Sequence, residues 1–262
     1  MNKDIKIIFV DIDFTLYDHY KNEFNKECIE AINQAQKNGV KIIISTARPY
    51  DTMRELGTLD VIHPDGYIVN DGAIAVVDNH VVFEHYFPTD LVRRVVKVMK
   101  RRKTTCEIAT FKDRYLLAKP TVGAKNVFRA FKNSIPPTIE YDGQNVCTIM
   151  IFGKSRGDET LQKQLGEDIH IFRFCPDAAD LTYKTKIEKG DTVKKVLEYL
   201  NISSDNAMAI GDDYVDISMF KIVKYGVAMG NAKEEVKKNA THIAKHISDG
   251  GFNQLFKDLD II

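Results

Sequence analysis

Ile7-Ile8-Phe9-Val10-Asp11-Ile12-Asp13-Phe14-Thr15-Leu16, IIFVDIDFTL, is the stretch whose reading decides the fold. Its apolar run is too short for a buried helix and does not alternate with polar residues, which is how a strand covered on both faces reads. It then stops abruptly at two carboxylates spaced i, i+2. Comparable short runs occur at 40–44, 206–210 and 225–229. Between them lie helical patterns: residues 25–38 carry Cys28, Ile29, Ile32 and Ala35 on one stripe before a Gly39 stop, and residues 191–199 open a second stripe of Val193, Val196, Leu197 and Leu200. Strands alternating with helices predict a doubly wound, Rossmann-like α/β core built on a parallel sheet.

The alternation breaks in the middle of the chain. Pro88-Thr89-Asp90 reads as a helix start before Leu91, Val92, Val95, Val96 and Val98, and strand-like runs follow at 106–111 and 115–119. After an amphipathic stretch near 128–131 and a strand-like run at 146–152, the rhythm repeats, with a helix near 158–165 and strands near 169–174 and 180–183. This block reads as an inserted α+β domain, giving a core of 1–80 plus 186–262 and an insert of 81–185.

With 262 residues, 44% of them apolar, the chain has material for a substantial core. Lys and Arg together number 37, as do Asp and Glu, so no net field favours nucleic acid or an anionic membrane. The basic face of Arg93, Arg94, Lys97, Lys100, Arg101, Arg102 and Lys103 reads as the solvated side of a helix. Cys28, Cys106, Cys147 and Cys175 form no C-x-x-C pair, and no stretch approaches the roughly 18 apolar residues of a membrane span. A cytoplasmic protein without a nucleic-acid or membrane partner is expected; composition sets no oligomeric state.

In an open parallel sheet, ligands bind beyond the carboxyl ends of the strands. There the sequence places Asp11, Asp13 and Thr15 after the first run, Ser45 and Thr46 after the second, and Gly211, Asp212 and Asp216 after the third, with Lys189 opening the preceding helix. Clustered carboxylates repel by about 4 kcal/mol at about 4 Å and an effective dielectric near ~20. A divalent cation relieves this, and an all-oxygen ligand set favours a hard one, Mg²⁺. A hydroxyl and an ammonium nearby complete a site suited to a phosphoryl group.

The order DxDxT (Asp11, Asp13, Thr15), a strand ending in Thr46, Lys189 followed by Gly190, and GDxxxD (Gly211, Asp212, Asp216) resembles the haloacid dehalogenase-like hydrolase superfamily. The insert resembles the type IIB cap of its Cof-like phosphatase branch. The resemblance implies an Mg²⁺-dependent phosphatase of a small phosphorylated metabolite, a sugar phosphate or phosphorylated cofactor, closed over by the cap. Asp11 matches the nucleophile that forms an aspartyl-phosphate, and Asp13 the general acid and base. The Asp11 carboxylate, the Asp13 carbonyl and Asp212 match the metal ligands, with Asp216 in the outer shell. The Ile12 N–H, Thr46, the Ala47 N–H and Lys189 match the phosphate-binding groups.

Three positions depart from the branch pattern. Thr46-Ala47-Arg48 stands for the usual TGR, Val215 for the Asn of GDxxND, and Asn70-Asp71-Gly72-Ala73 for NGA. Two further readings follow: a phosphotransferase or mutase that hands the phosphoryl group to a second hydroxyl, and, prompted by Val215, a low-turnover phosphometabolite-binding regulator.

Overall fold

The computed structural model describes residues 4–183 and 187–262. The chain divides into two compact units: Met1–Ala47, Leu59–Glu84 and Ile187–Ile262 in the first, Arg48–Thr58 and His85–Lys186 in the second. Among the described residues, no helix is long and apolar enough to cross a membrane.

Strand β1 (Ile7–Val10) opens the chain with all four residues buried, followed by a small hairpin, β2 (Tyr17–Asp18) and β3 (Glu23–Phe24). Helix α1 (Lys26–Lys37) is started by Asn25, whose side-chain oxygen accepts the Cys28 N–H at 2.9 Å. It stops at Asn38, and Gly39 then takes φ +88°, a conformation that costs glycine nothing. β4 (Lys41–Ser45), α2 (Tyr50–Glu55), α3 (Thr58–Val61), β5 (Gly66–Val69), β6 (Ile74–Val77) and β7 (His80–Glu84) follow.

The second unit carries α4 (Thr89–Arg101), β8 (Cys106–Ala109), β9 (Arg114–Leu116), α5 (Val122–Ala130), β10 (Thr148–Phe152), α6 (Asp158–Leu165), β11 (Ile169–Cys175) and β12 (Ala178–Tyr183). The chain then returns through α7 (Lys189–Leu200), β13 (Ala207–Gly211), β14 (Tyr225–Ala228) and β15 (His242–Ile243).

The first unit holds one sheet in the order β15-β14-β13-β1-β4-β5-β6-β7. The first six strands pair in parallel, as the short apolar runs predict. The last two extend the sheet as an antiparallel hairpin, an addition the runs did not reveal. The expected domain boundary at 80/81 therefore falls inside that hairpin, and its counterpart at 185/186 lies outside the described residues. Packed on the sheet are Val193, Val196 and Leu197 of α7, with Phe9, Ile43 and Ile68 opposite, all buried. Burying one such side chain contributes about 1.5–3 kcal/mol.

The second unit is a five-stranded antiparallel sheet ordered β11-β12-β10-β8-β9. The Val95 and Val98 stripe of α4 and Leu161 and Leu165 of α6 cover one face with Ile108, Ile149 and Leu181, while Val127 and Phe128 of α5 cover part of the other. Residues 48–58 join this unit because Arg114, buried on β9, reaches Asp51 at 2.8 Å and Glu55 at 3.4 Å as well as Glu107 at 3.2 Å.

Candidate active site

The switch point of the sheet lies at β1, because the chain leaves it on one side for β4 and comes back on the other for β13. Val10 is level with both Ile44 and Ile210, so the residues just past these strands, Asp11, Thr46 and Asp212, emerge side by side.

Lys189 is buried, with 1% of its side chain exposed, and its ammonium donates to Asp11 Oδ1 at 2.8 Å, Asp216 Oδ1 at 2.8 Å and the Ser45 carbonyl at 3.1 Å. Those three bonds use every N–H an ammonium has. Of the neighbouring lysines in the sequence, Lys184 and Lys186 lie outside the described residues. Lys189 gets there because α7 begins close against Ser218: a Cβ on Gly190 would stand 2.3 Å from the Ser218 carbonyl oxygen, and the Gly190 N–H donates to Ser218 Oγ at 3.1 Å. Glu188 and Asp191 close the start of the helix as a reciprocal capping box.

Asp216 is as buried as Lys189. Its other oxygen, Oδ2, accepts the N–H groups of Asp212 at 3.0 Å and Asp213 at 3.1 Å, so it ties the lysine to the Asp212 loop. Gly211 makes room, since a Cβ there would come within 2.3 Å of Asp216 Cγ. Exposed Asp213 serves the turn instead, accepting the Tyr214 N–H at 2.8 Å. Val215 contributes its carbonyl to Ser218 Oγ at 2.9 Å.

Asp11, Asp212 and Asp216 each bring a carboxylate oxygen within 4.8 Å of the others. Burial pushes the Asp11 carboxyl well above the ordinary range, Lys189 pulls against this, and Asp216 and Asp13 add to it. Burial and the charges of Asp11, Asp216 and Asp213 push Asp212 the same way. Among the described residues, Asp11 commits Oδ1 to Lys189 and Asp212 commits Oδ1 to the Thr15 hydroxyl at 3.2 Å, which leaves each a second oxygen. Two crowded carboxylates with an oxygen apiece, in a set without nitrogen or sulfur, fit a hard divalent cation.

Asp13 is half-buried, and His19 Nε2 stands 2.6 Å from its Oδ1. Ile12 buries its side chain and gives its carbonyl to the N–H groups of Thr15, Leu16 and Tyr17. Thr46 is buried, its N–H bonded to the Ile68 carbonyl at 2.9 Å, and Ala47 is exposed. Asn70, Asp71 and Gly72 take positive φ in succession, and the Gly72 carbonyl accepts the Thr192 hydroxyl at 2.6 Å. The structure thus draws Asp11, Lys189, Asp212 and Asp216 into one contact cluster, puts Thr46 and Ala47 on the neighbouring strand end, and leaves Asp13 paired with His19. Two participants escaped the sequence reading. His19 carries no ligand spacing, and Asn231 holds the Phe14 carbonyl at 2.9 Å, fixing a loop in which Phe14 itself takes φ +55°.

A sequence profile of the haloacid dehalogenase-like hydrolases matches residues 8–256. The chain belongs to that family. Among relatives of this hydrolase, 5-amino-6-(5-phospho-D-ribitylamino)uracil phosphatase YcsE of Bacillus subtilis (strain 168) is 26% identical, over 94% of this chain and 93% of the relative. Phosphoglycolate phosphatase 1 of Saccharolobus solfataricus is also 26% identical, over 97% and 96%. In three dimensions the hydrolase is similar to the HAD subclass IIB sugar phosphatase BT4131, with TM-score 0.81 and 27% identity over 98% of this chain and 100% of that one. A protein from Geobacillus kaustophilus HTA426 superposes with TM-score 0.90 at 23% identity, over 98% and 100%, a likeness of fold.

Proposed function

We propose that this hydrolase is an Mg²⁺-dependent phosphatase of small phosphorylated metabolites, sugar phosphates first, working in the cytoplasm through an aspartyl-phosphate on Asp11. The observation that carries the reading is Lys189 held 2.8 Å from both Asp11 and Asp216, with Asp212 crowded beside them. Phosphatase names among its relatives, a sugar phosphatase included, support the substrate class.

Asp11 attacks phosphorus with a carboxylate oxygen, and the bond to the leaving alkoxide breaks as Asp13 donates it a proton. Asp13 then takes a proton from water, whose oxygen displaces Asp11 from phosphorus and frees inorganic phosphate. Lys189 fixes Asp11 and opposes the negative charge that gathers on the phosphoryl oxygens. The Ile12 and Ala47 N–H groups and the Thr46 hydroxyl are assigned to those oxygens. The Asp11 carboxylate, the Asp13 carbonyl and Asp212 would hold Mg²⁺, with Asp216 in the outer shell, where the ion supplies positive charge against the phosphate. We assign the second unit the part of a specificity lid that keeps bulk water from the phospho-enzyme.

Val215, where the resembling motif has Asn, supports a second reading in which a phosphometabolite is bound and turned over slowly. A phosphate-release screen over phosphorylated sugars and cofactors, with and without Mg²⁺, tests both. Mg²⁺-dependent release of phosphate from a sugar phosphate is expected. Tight binding without release favours the regulator, and transfer to an added acceptor sugar favours the phosphotransferase.

A further inference from the structure

We infer that His19 is a positioning residue for Asp13, holding its carboxylate through an imidazole N–H at the angle from which the leaving group is protonated. The inference rests on the phosphatase reading above and adds a residue to it.

Three separate features aim the ring. Nε2 of His19 lies 2.6 Å from Asp13 Oδ1, hydrogen-bond distance, and in the Nε2–H tautomer the ring donates to that oxygen and leaves Oδ2 to carry the acid's proton. The ring is packed between two others, with Phe14 at 4.6 Å and Tyr17 at 4.9 Å between centroids, the second in edge-on geometry. The backbone on either side is tied down by Asp18, whose Oδ1 accepts the Tyr20 N–H at 2.8 Å and the Lys21 N–H at 3.2 Å, while Oδ2 accepts the Ser248 hydroxyl at 2.6 Å. Lys21 Nζ adds a bond to the Ser248 carbonyl at 2.8 Å. A tip knotted in this way costs little further entropy when the imidazole is held in one rotamer. Asp13 itself stands just before Phe14, which Asn231 grips by its carbonyl. The acid is thus held from both sides, by Asn231 through the chain and by His19 through the carboxylate.

Ring packing alone would also place a histidine here, and the chemistry separates the two roles. An alkoxide leaving group needs a proton as it departs, whereas 4-nitrophenolate leaves without one, so loss of an aimed acid harms only the first. His19→Phe keeps a ring between Phe14 and Tyr17 and removes the N–H. His19→Gln restores an N–H at the position of Nε2. The experiment measures kcat/KM, which reports steps through leaving-group departure, on ethyl phosphate, glycerol 3-phosphate, glucose 6-phosphate and 4-nitrophenyl phosphate.

For His19→Phe, kcat/KM on the alkyl esters should fall by about 10- to 100-fold and on 4-nitrophenyl phosphate by less than about threefold, with His19→Gln recovering most of the loss. Equal falls on both ester classes, or no fall on either, overturn the inference while leaving the phosphatase reading intact. So does a wild-type enzyme that hydrolyses only the nitrophenyl ester. A wild-type enzyme inert towards all four esters, with Mg²⁺ present, sinks the phosphatase reading and this inference with it.

Discussion

Lys189 and Asp11 meet at 2.8 Å inside the molecule, the lysine 1% exposed and the aspartate 9% exposed in their side chains. Changing the two partners should have unequal effects on stability. Asp11→Asn removes a buried charge while Lys189 keeps Asp216 and the Ser45 carbonyl, so the fold should survive and turnover should fall by at least about a thousandfold. Lys189→Met strands two buried carboxylates, and breaking a buried pair from one side costs about 3–5 kcal/mol. Denaturant unfolding alongside phosphate release checks both, and an Asp11→Asn protein with wild-type turnover would remove the nucleophile assignment.

Gly211 yields a prediction at the opposite end of Asp216. A Cβ at 2.3 Å from Asp216 Cγ has nowhere to go unless the carboxylate moves, and that carboxylate holds Lys189 and two N–H groups. Gly211→Ala should therefore cost about 1–3 kcal/mol of stability and reduce kcat at least about tenfold. A variant with both quantities unchanged would mean that Asp216 does not need its observed place.

The buried ion cluster of the second unit predicts a pH dependence of stability. Burial pushes Glu107 from its ordinary 4.5 up to about 7, against the pull of Arg114, with Asp51 and Glu55 adding to the rise. Below 4.5 both folded and unfolded chains hold this proton. Between 4.5 and about 7 the unfolded chain releases it first, so stability falls as pH rises and levels off above about 7. Unfolding midpoints measured across that window should show a negative slope that Glu107→Gln flattens. An unchanged slope in the variant would assign the dependence to other groups.

The parallel core was legible because β1, β4, β13 and β14 are short, apolar and unbroken, and the carboxylates that follow β1 and β13, Asp11 and Asp212, belong to the cluster itself. The β6–β7 hairpin was not, although Ile74–Val77 and residues 81–83 are apolar, because an antiparallel pair breaks the strand–helix alternation by which the other strands were read. Its cue was the turn: Asp78 and Asn79 both take positive φ, 48° and 66°, the combination a two-residue hairpin favours. Residues 48–58 joined the second unit through the Arg114 contacts with Asp51 and Glu55, pairs separated by some sixty positions that no local pattern encodes. Lys189 could be named because a glycine follows it, and Gly190 has a steric reason to be there. His19 and Asn231 act through single side-chain contacts, and periodicity is blind to those.

Cation dependence is the remaining consequence of the cluster. Asp11 and Asp212 are both pushed up by burial and by neighbouring carboxylates, a cost that an ion between them would remove, so Mg²⁺ should raise the unfolding temperature as well as the rate. At a free concentration about 100 times Kd, binding to the native state alone adds about 2.7 kcal/mol. Asp212→Asn loses one charge of the set but can keep a carbonyl oxygen for the Thr15 hydroxyl at its 3.2 Å position, so the apo fold should hold or gain slightly. The stabilisation by Mg²⁺ should shrink to near zero in that variant, and turnover should fall with it. Thermal unfolding with Mg²⁺ titrated into both proteins reads this without any substrate. Equal stabilisation of the two would place the cation elsewhere.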